Sequence, residues 1–322
     1  MTHTQNAIKS VYYLIALILL NTGQAMGEST SPDNAPVKFG FTKSMFVDLN
    51  AADTRAAVKS YAMLLASNND LTISDSPGIL DGAEAVQESF AKGTADIISL
   101  TTIEFLALPE GATHPRIICA SMGGTFTEQY VLLVHKDSGI QSISDLKNRR
   151  LLIYSSLRGS ISPLWLDVLL ATNGSPEPAK FFSNITPVSK PTRTVLPVFF
   201  HQADACIVTQ NGYNVICELN PQVMRDLKII ATSPPIIPSV TCFRAGIPPL
   251  YVERILNAVV DAQHTVSGRQ VLTIFQCDRI NELNKNQIST VRELLATQAR
   301  LRGDANPADS ALQQPSNPSK TP

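Results

Sequence analysis

The segment Ala95-Asp96-Ile97-Ile98-Ser99-Leu100-Thr101 has a counterpart 108 residues later, Ala203-Asp204-Ala205-Cys206-Ile207-Val208-Thr209. Each reads Ala-Asp, four strand-forming residues, then threonine, and each follows a helical stretch ending in a phenylalanine, Phe90 or Phe200. One short match can arise by chance, but the offset equals a half-size α/β lobe, so the repeat predicts two similar lobes. From residue 37 short β-rich runs alternate with helical stretches, the pattern of parallel sheets with crossover helices. Strands are expected at 37–41, 71–74, 96–100, 117–120, 131–135, 151–154, 205–208, 227–231 and 240–243. Helices are expected at 51–66, 81–91, 102–106, 162–171, 192–200, 213–219, 249–266 and 287–301. The runs 130–135 and 238–244 lack crossover logic and read as strands passing from one lobe to the other and back. The expected division is a first lobe of 36–129 plus 241–301, a second lobe of 130–240, and a disordered tail over 302–322, which is rich in proline and small polar residues.

The first residues set the compartment. After Lys9 an apolar run occupies 11–20, followed by small residues at Gly23, Ala25 and Gly27. As a helix that run spans about 15 Å, roughly half a hydrocarbon core, so it suits a cleaved signal peptide (1–25) better than a membrane anchor. No cysteine stands near the cleavage region, and no later stretch has eighteen consecutive apolar residues, so the expectation is an exported, soluble, periplasmic protein without stable membrane insertion. With 44% hydrophobic residues over 322 the chain can fold, and a net charge of −1 lacks the clustered cations that nucleic acid requires.

Five cysteines, Cys119, Cys206, Cys217, Cys242 and Cys277, leave at least one thiol unpaired. Cys206 and Cys217 each stand roughly 10 Å from the turn near Thr209 along antiparallel elements, so they fall level. Whether they bridge depends on the sheet-to-helix separation. No CxxC or HxxxH spacing offers four convergent ligands, and His114, His135, His201 and His264 are scattered, so neither metal nor cofactor is expected.

In open α/β sheets ligands sit beyond the carboxyl ends of strands, against helix N-termini. Four such turns carry short hydroxyl or amide side chains: Thr42, Lys43, Ser44 and Phe46; Thr101 and Thr102; Ser155, Ser156, Arg158 and Ser160; Thr209, Gln210 and Asn211. Helix capping explains any one of them. Capping needs one acceptor per helix, however, whereas Ser155, Ser156 and Ser160 around Gly159, with the Arg158 guanidinium, form a nest suited to a small anionic ligand. Lys43 and Arg158 are the two cations expected at the cleft. The sequence has no Gly-x-Ser-x-Gly elbow, Walker loop, dinucleotide fingerprint or His-Glu-x-x-His motif, so no enzymatic activity is expected.

The stretch 130–140 and the following 144–153 resemble the hinge strand and second-lobe start of the phosphonate/phosphate-type solute-binding proteins of ABC transporters. The segments 95–101 and 203–211 are similar to that family's two cleft-facing strands, and 238–244 to its return crossover. The resemblance covers about 37–301 and implies an α/β, two-lobed type II periplasmic binding-protein fold with two crossover hinge strands, closing on its ligand. It also brings Tyr130, at the start of the hinge strand, into the site. Departures bear on the ligand: Leu157-Arg158-Gly159-Ser160-Ile161 stands where phosphonate binders carry Ser-Thr-Ser-Gly, and Phe105, beside Glu104, where they often carry tyrosine. The implied ligand is a compact anion such as phosphonate, phosphite, phosphate, another oxyanion, or a small carboxylate or sulfonate, passed to an ABC permease. The alternative is a ligand-sensing subunit for a membrane histidine kinase, the arsenite type of which would use a cysteine such as Cys206.

Overall fold

A computed structural model of the chain describes residues 36–46, 56, 58–59, 72–74, 78–274 and 277–303. The expected signal peptide, most of the expected helix over 51–66, and the tail beyond 303 lie outside these residues. Among the described residues two sheets form. The first contains β1 (Phe39–Thr42), β2 (Gly78–Leu80), β3 (Ile97–Thr101), β4 (Thr113–Ser121), β10 (Ser239–Arg244) and β11 (Arg279–Leu283), in spatial order β11-β4-β10-β3-β1-β2. The second contains β5 (Tyr130–His135), β6 (Arg150–Tyr154), β7 (Asn184–Val188), β8 (Ala205–Thr209) and β9 (Leu227–Thr232), in order β7-β6-β8-β5-β9.

The helices between them are α1 (Gly82–Ala91), α2 (Thr102–Leu106), α3 (Ser162–Thr172), α4 (Pro178–Phe181), α5 (Pro191–Phe199), α6 (Gln210–Leu219), α7 (Pro221–Asp226), α8 (Pro249–His264), α9 (Val266–Ile274) and α10 (Ser289–Arg302). They cover both faces of the central strands, so β1, β5 and β8 are buried at every position. In the first sheet Phe39, Ile97 and Phe243 pack against Ile255 and Val259 of α8. Their alternates Ile98, Leu100 and Cys242 pack against Val86 and Phe90 of α1 and Phe105 of α2.

The repeat has a structural counterpart in its two aspartates. Asp96 accepts the backbone N–H of Lys38 (3.0 Å) at the start of β1, and Asp204 accepts that of Arg150 (2.8 Å) at the start of β6. Each also takes a guanidinium, Arg244 on Asp96 at 3.0 Å and Arg150 on Asp204 at 3.1 Å. Each aspartate thus ties its strand to the parallel neighbour, β3 to β1 and β8 to β6. At the other end of both strands the threonine caps the next helix, Thr101 for α2 and Thr209 for α6.

The two crossovers meet each other. Between the sheets the backbone N–H of Glu128 donates to the carbonyl of Ile236 (2.7 Å), and that of Ile236 donates to the carbonyl of Glu128 (2.8 Å). The Tyr130 N–H donates to Ser233 Oγ (2.8 Å) and the Ser233 N–H returns to the Tyr130 carbonyl (2.8 Å). Beyond this ladder β5 runs antiparallel between β8 and β9, and β10 antiparallel between β3 and β4.

Several elements differ from the sequence expectation. Over 72–74 there is a single bridge, Val37 to Ile73, and the pairing with β1 continues instead at β2, with Gly40 opposite Gly78. Close approach explains the glycine at 40, since a Cβ there would come within 3.2 Å of the Ile98 side chain. Strands β7 and β11 were not expected. Both are sheet edges, where Pro187 is tolerated because one side of the strand needs no ladder bond. Residues 289–302 were expected with the first lobe and its tail, but Val291 and Leu294 of α10 join the second lobe's core. Arg302, expected as the first tail residue, ends the helix and bonds Asp167 of α3 at 2.8 Å. All five cysteines are buried free thiols, Cys206 and Cys217 included, so the 206–217 bridge is not formed.

Candidate functional site

In the first lobe three predicted hydroxyls converge, and they converge on a carboxylate. Glu104 accepts from Thr42 Oγ1 (2.8 Å), Ser44 Oγ (2.7 Å), Thr101 Oγ1 (2.8 Å) and the Thr101 N–H (2.9 Å). Thr101 and Glu104 form a capping box on α2, and the Thr-x-x-Glu spacing is the local signal from which Glu104 was legible. Thr42 is fully buried, and its hydroxyl is satisfied by this carboxylate together with Ser44 Oγ (2.9 Å). Thr102 faces the other way: it donates its hydroxyl to Ile237 (2.6 Å) and its N–H to Pro238 (2.9 Å), tying α2 to the return crossover. Lys43 pairs with Asp81 at 2.6 Å on the exposed rim, and Phe46 packs against Phe41 at a tilt, with ring centroids 5.3 Å apart. Phe105 lies in the first lobe's core rather than beside these tips.

In the second lobe the loop after β6 folds tightly against its own strand. A Cβ on Gly159 would stand 2.3 Å from the Tyr154 carbonyl oxygen, so only glycine fits there. The Gly159 N–H donates to Ser156 Oγ (3.3 Å) and to the Ser156 carbonyl (3.0 Å), while Ser155 is held by its N–H to Val188 (2.9 Å). The Ser162 hydroxyl at the start of α3 donates to the Gly159 carbonyl (2.8 Å). Within this otherwise satisfied loop the Ser160 Oγ is buried and has no hydrogen-bond partner.

Arg158 does not stand in the cleft as an unopposed cation. Its guanidinium pairs with Glu128 of the first crossover, and its carbonyl accepts the Tyr130 hydroxyl (2.8 Å). Tyr130 is fully buried, and burial pushes its phenol far above the usual range. Burial likewise raises the Glu128 carboxyl, with Arg158 partly opposing. Glu128 has no local sequence signal, because its partner lies 30 residues away. In the last turn Thr209 Oγ1 caps the Gly212 N–H (3.2 Å), and Gln210 donates its N–H to Gln129 of the crossover (2.7 Å) and its amide to Asn214 (2.7 Å). Asn211 is exposed.

The turns therefore fall into two groups. Thr42, Ser44 and Thr101 surround Glu104, while Tyr130, Arg158 and the 209–211 turn are fastened to the first crossover beside the Ser155–Ser160 loop. Among the described residues no group of His, Cys, Asp and Glu could hold a metal ion, and no helix is long and apolar enough to cross a membrane.

A family model described as ABC transporter, phosphonate, periplasmic substrate-binding protein matches residues 77–287. In three dimensions the chain is similar to a Xanthomonas citri protein, XAC2383, solved with chloride, at TM-score 0.55 and 19% identity, covering 83% of this chain and 98% of that one. It is similar to a binding-protein component of an ABC phosphonate transporter from Pseudomonas aeruginosa, at TM-score 0.55 and 15% identity, over 87% and 94% of the two chains. PhnD1 of Prochlorococcus marinus, solved with methylphosphonate, matches at TM-score 0.54 and 16% identity, over 80% and 96%. At such identities the likeness is one of fold. No curated protein matches the chain.

Proposed function

The chain belongs to the phosphonate-type periplasmic substrate-binding proteins of ABC transporters, and from that premise we propose that it captures a small oxyanion-bearing solute for an ABC permease. The headgroup, of the phosphonate, phosphite or phosphate class, sits at the second lobe's loop, among Ser155, Ser156, Arg158 and Ser160 at the approach to α3. The turns at Thr209, Gln210 and Asn211 flank it. The observation that carries this reading is the buried Ser160 hydroxyl without a partner. Leaving such a group unsatisfied costs about 1–3 kcal/mol, which a ligand oxygen would recover. Gly159 permits the tight turn against Tyr154 that holds Ser156 and Ser160 in one loop.

The first lobe contributes differently. Its hydroxyls at Thr42, Ser44 and Thr101 already donate to Glu104, so they present no ready oxyanion seat. The lobes close on the ligand about the 128–130 and 233–236 ladder, and the ligand leaves unchanged. Titration calorimetry with methylphosphonate, phosphite and phosphate tests the proposal: micromolar or tighter binding of at least one supports it, and no heat from any of them removes the anion. Ser160→Leu abolishes that binding; an unaltered affinity in this variant takes the loop out of the site.

A further inference from the structure

A cavity of about 110 Å³ lies between the first sheet and helices α8 and α9, walled by Phe41, Ile97, Val259 and Leu272 and reaching Met45 and, from the second lobe, Leu157. Three hydroxyls reach it, Ser239 and the mid-sheet pair Ser99 and Thr241, which bond each other at 2.6 Å, and the rest of the lining is mostly apolar. Cys119 and Cys277 line it as buried free thiols. A cavity whose walls are mostly apolar side chains accepts hydrocarbon. Two residues connect it to the headgroup loop and the facing turn: Leu157 directly precedes Arg158, and Met45 directly follows Ser44.

We propose that this cavity is the seat for an apolar substituent of the ligand, an alkyl or aryl group of about four to six carbons on the anionic headgroup. The protein thereby selects organic oxyanions over inorganic ones, an inference that rests on the headgroup reading above. The headgroup stays at the Ser155–Ser160 loop while the substituent passes beneath Leu157 into the first lobe, so both lobes contact one ligand.

Calorimetry on the wild-type protein compares methylphosphonate with n-butylphosphonate. At roughly fourfold per buried methylene, the butyl compound binds about tenfold to sixtyfold more tightly. In Val259→Phe, which fills the cavity from α8, the preference falls to about one; if that variant does not fold, Ala120→Leu at the exposed rim is read instead. Equal wild-type affinities, or a butyl preference unmoved by filling, overturn the tail seat while leaving the headgroup intact. Should no phosphonate bind, the headgroup reading fails, and benzene decides the cavity. A melting-temperature rise with benzene that Val259→Phe lacks supports the seat, and no rise overturns it.

Discussion

Arg158 and Glu128 are joined as an ion pair that fastens the second lobe's loop to the first crossover. Glu128 is 5% exposed and its burial raises the carboxyl, with Arg158 opposing; on the proposed headgroup reading this carboxylate competes with an anionic ligand for Arg158. A carboxylate beside the guanidinium offsets part of its positive charge, and this weakens the attraction between Arg158 and an anionic ligand.

Glu128→Gln therefore strengthens oxyanion binding by roughly tenfold, the worth of one charge-assisted contact. Acid does the same to the wild type, because protonating Glu128 releases Arg158. The sign follows from the raised carboxyl: the native state holds more protons than the unfolded chain from the ordinary glutamate value of 4.5 upward. The stability this group contributes is full below that value and lost as pH rises through the raised one. Titrating both proteins from pH 7.5 to 5 and taking the ratio of affinities cancels the ligand's own ionisation; the ratio moves toward one on acidification. Parallel profiles would show that Glu128 does not compete for Arg158.

Glu104→Ala separates stability from binding. It removes the α2 capping box and leaves the fully buried Thr42 hydroxyl with Ser44 Oγ (2.9 Å) as its partner, so the protein loses about 1–2 kcal/mol. It also frees Ser44 and Thr101 and deletes a negative charge, so oxyanion affinity holds or rises. Thermal melts and calorimetry together check this, and a tenfold loss of affinity would place Glu104 on the ligand itself.

How much of this was legible depends on the range of each contact. The lobes, the crossing strands and the hydroxyl-rich turns come from local pattern, and the repeated Ala-Asp stretches carry a shared physical task, an aspartate stitching two parallel strands. Glu104 could be found from its spacing to Thr101. Glu128 could not, nor could the docking of α10, since Asp167 meets Gln298 and Arg302 across more than 130 residues of chain. Edge strand β7 was hidden by Pro187, which lowers strand propensity without forbidding an edge.

Gly159→Ala probes the loop without touching any charge. The added methyl would stand 2.3 Å from the Tyr154 oxygen, so the backbone must shift. The expected outcome is a loss of about 1–3 kcal/mol in stability, and at least a tenfold loss of binding. Unchanged affinity in a folded Gly159→Ala protein would mean that the ligand does not use this turn.

The cysteines should be chemically silent. Burial pushes Cys119 and Cys242 up to about 12 and Cys277 up to about 11, and raises Cys206 and Cys217 as well. Because the thiolate is the reactive form, the native protein resists a disulfide reagent, and all five thiols react only after denaturation. Dithiothreitol leaves the melting temperature unmoved; a drop would reveal a bridge that the structure does not contain.

Arg302→Ala tests whether α10 holds the second lobe. The guanidinium donates to both the carboxylate and the carbonyl of Asp167 and to the carbonyls of Ser175 and Pro176, and the ion pair is 14% and 12% exposed on its two sides. Removing it leaves Asp167 with Gln298 as its remaining neutral partner (2.7 Å), an under-compensated charge in a largely closed site. A loss of about 2–4 kcal/mol follows, or roughly 3–6 °C in melting temperature for a chain of this size. Asp167→Asn removes the charge while keeping an acceptor, so the double variant loses less than the sum of the two single ones. Additive losses would show that the helix is held by its apolar face at Val291 and Leu294 alone.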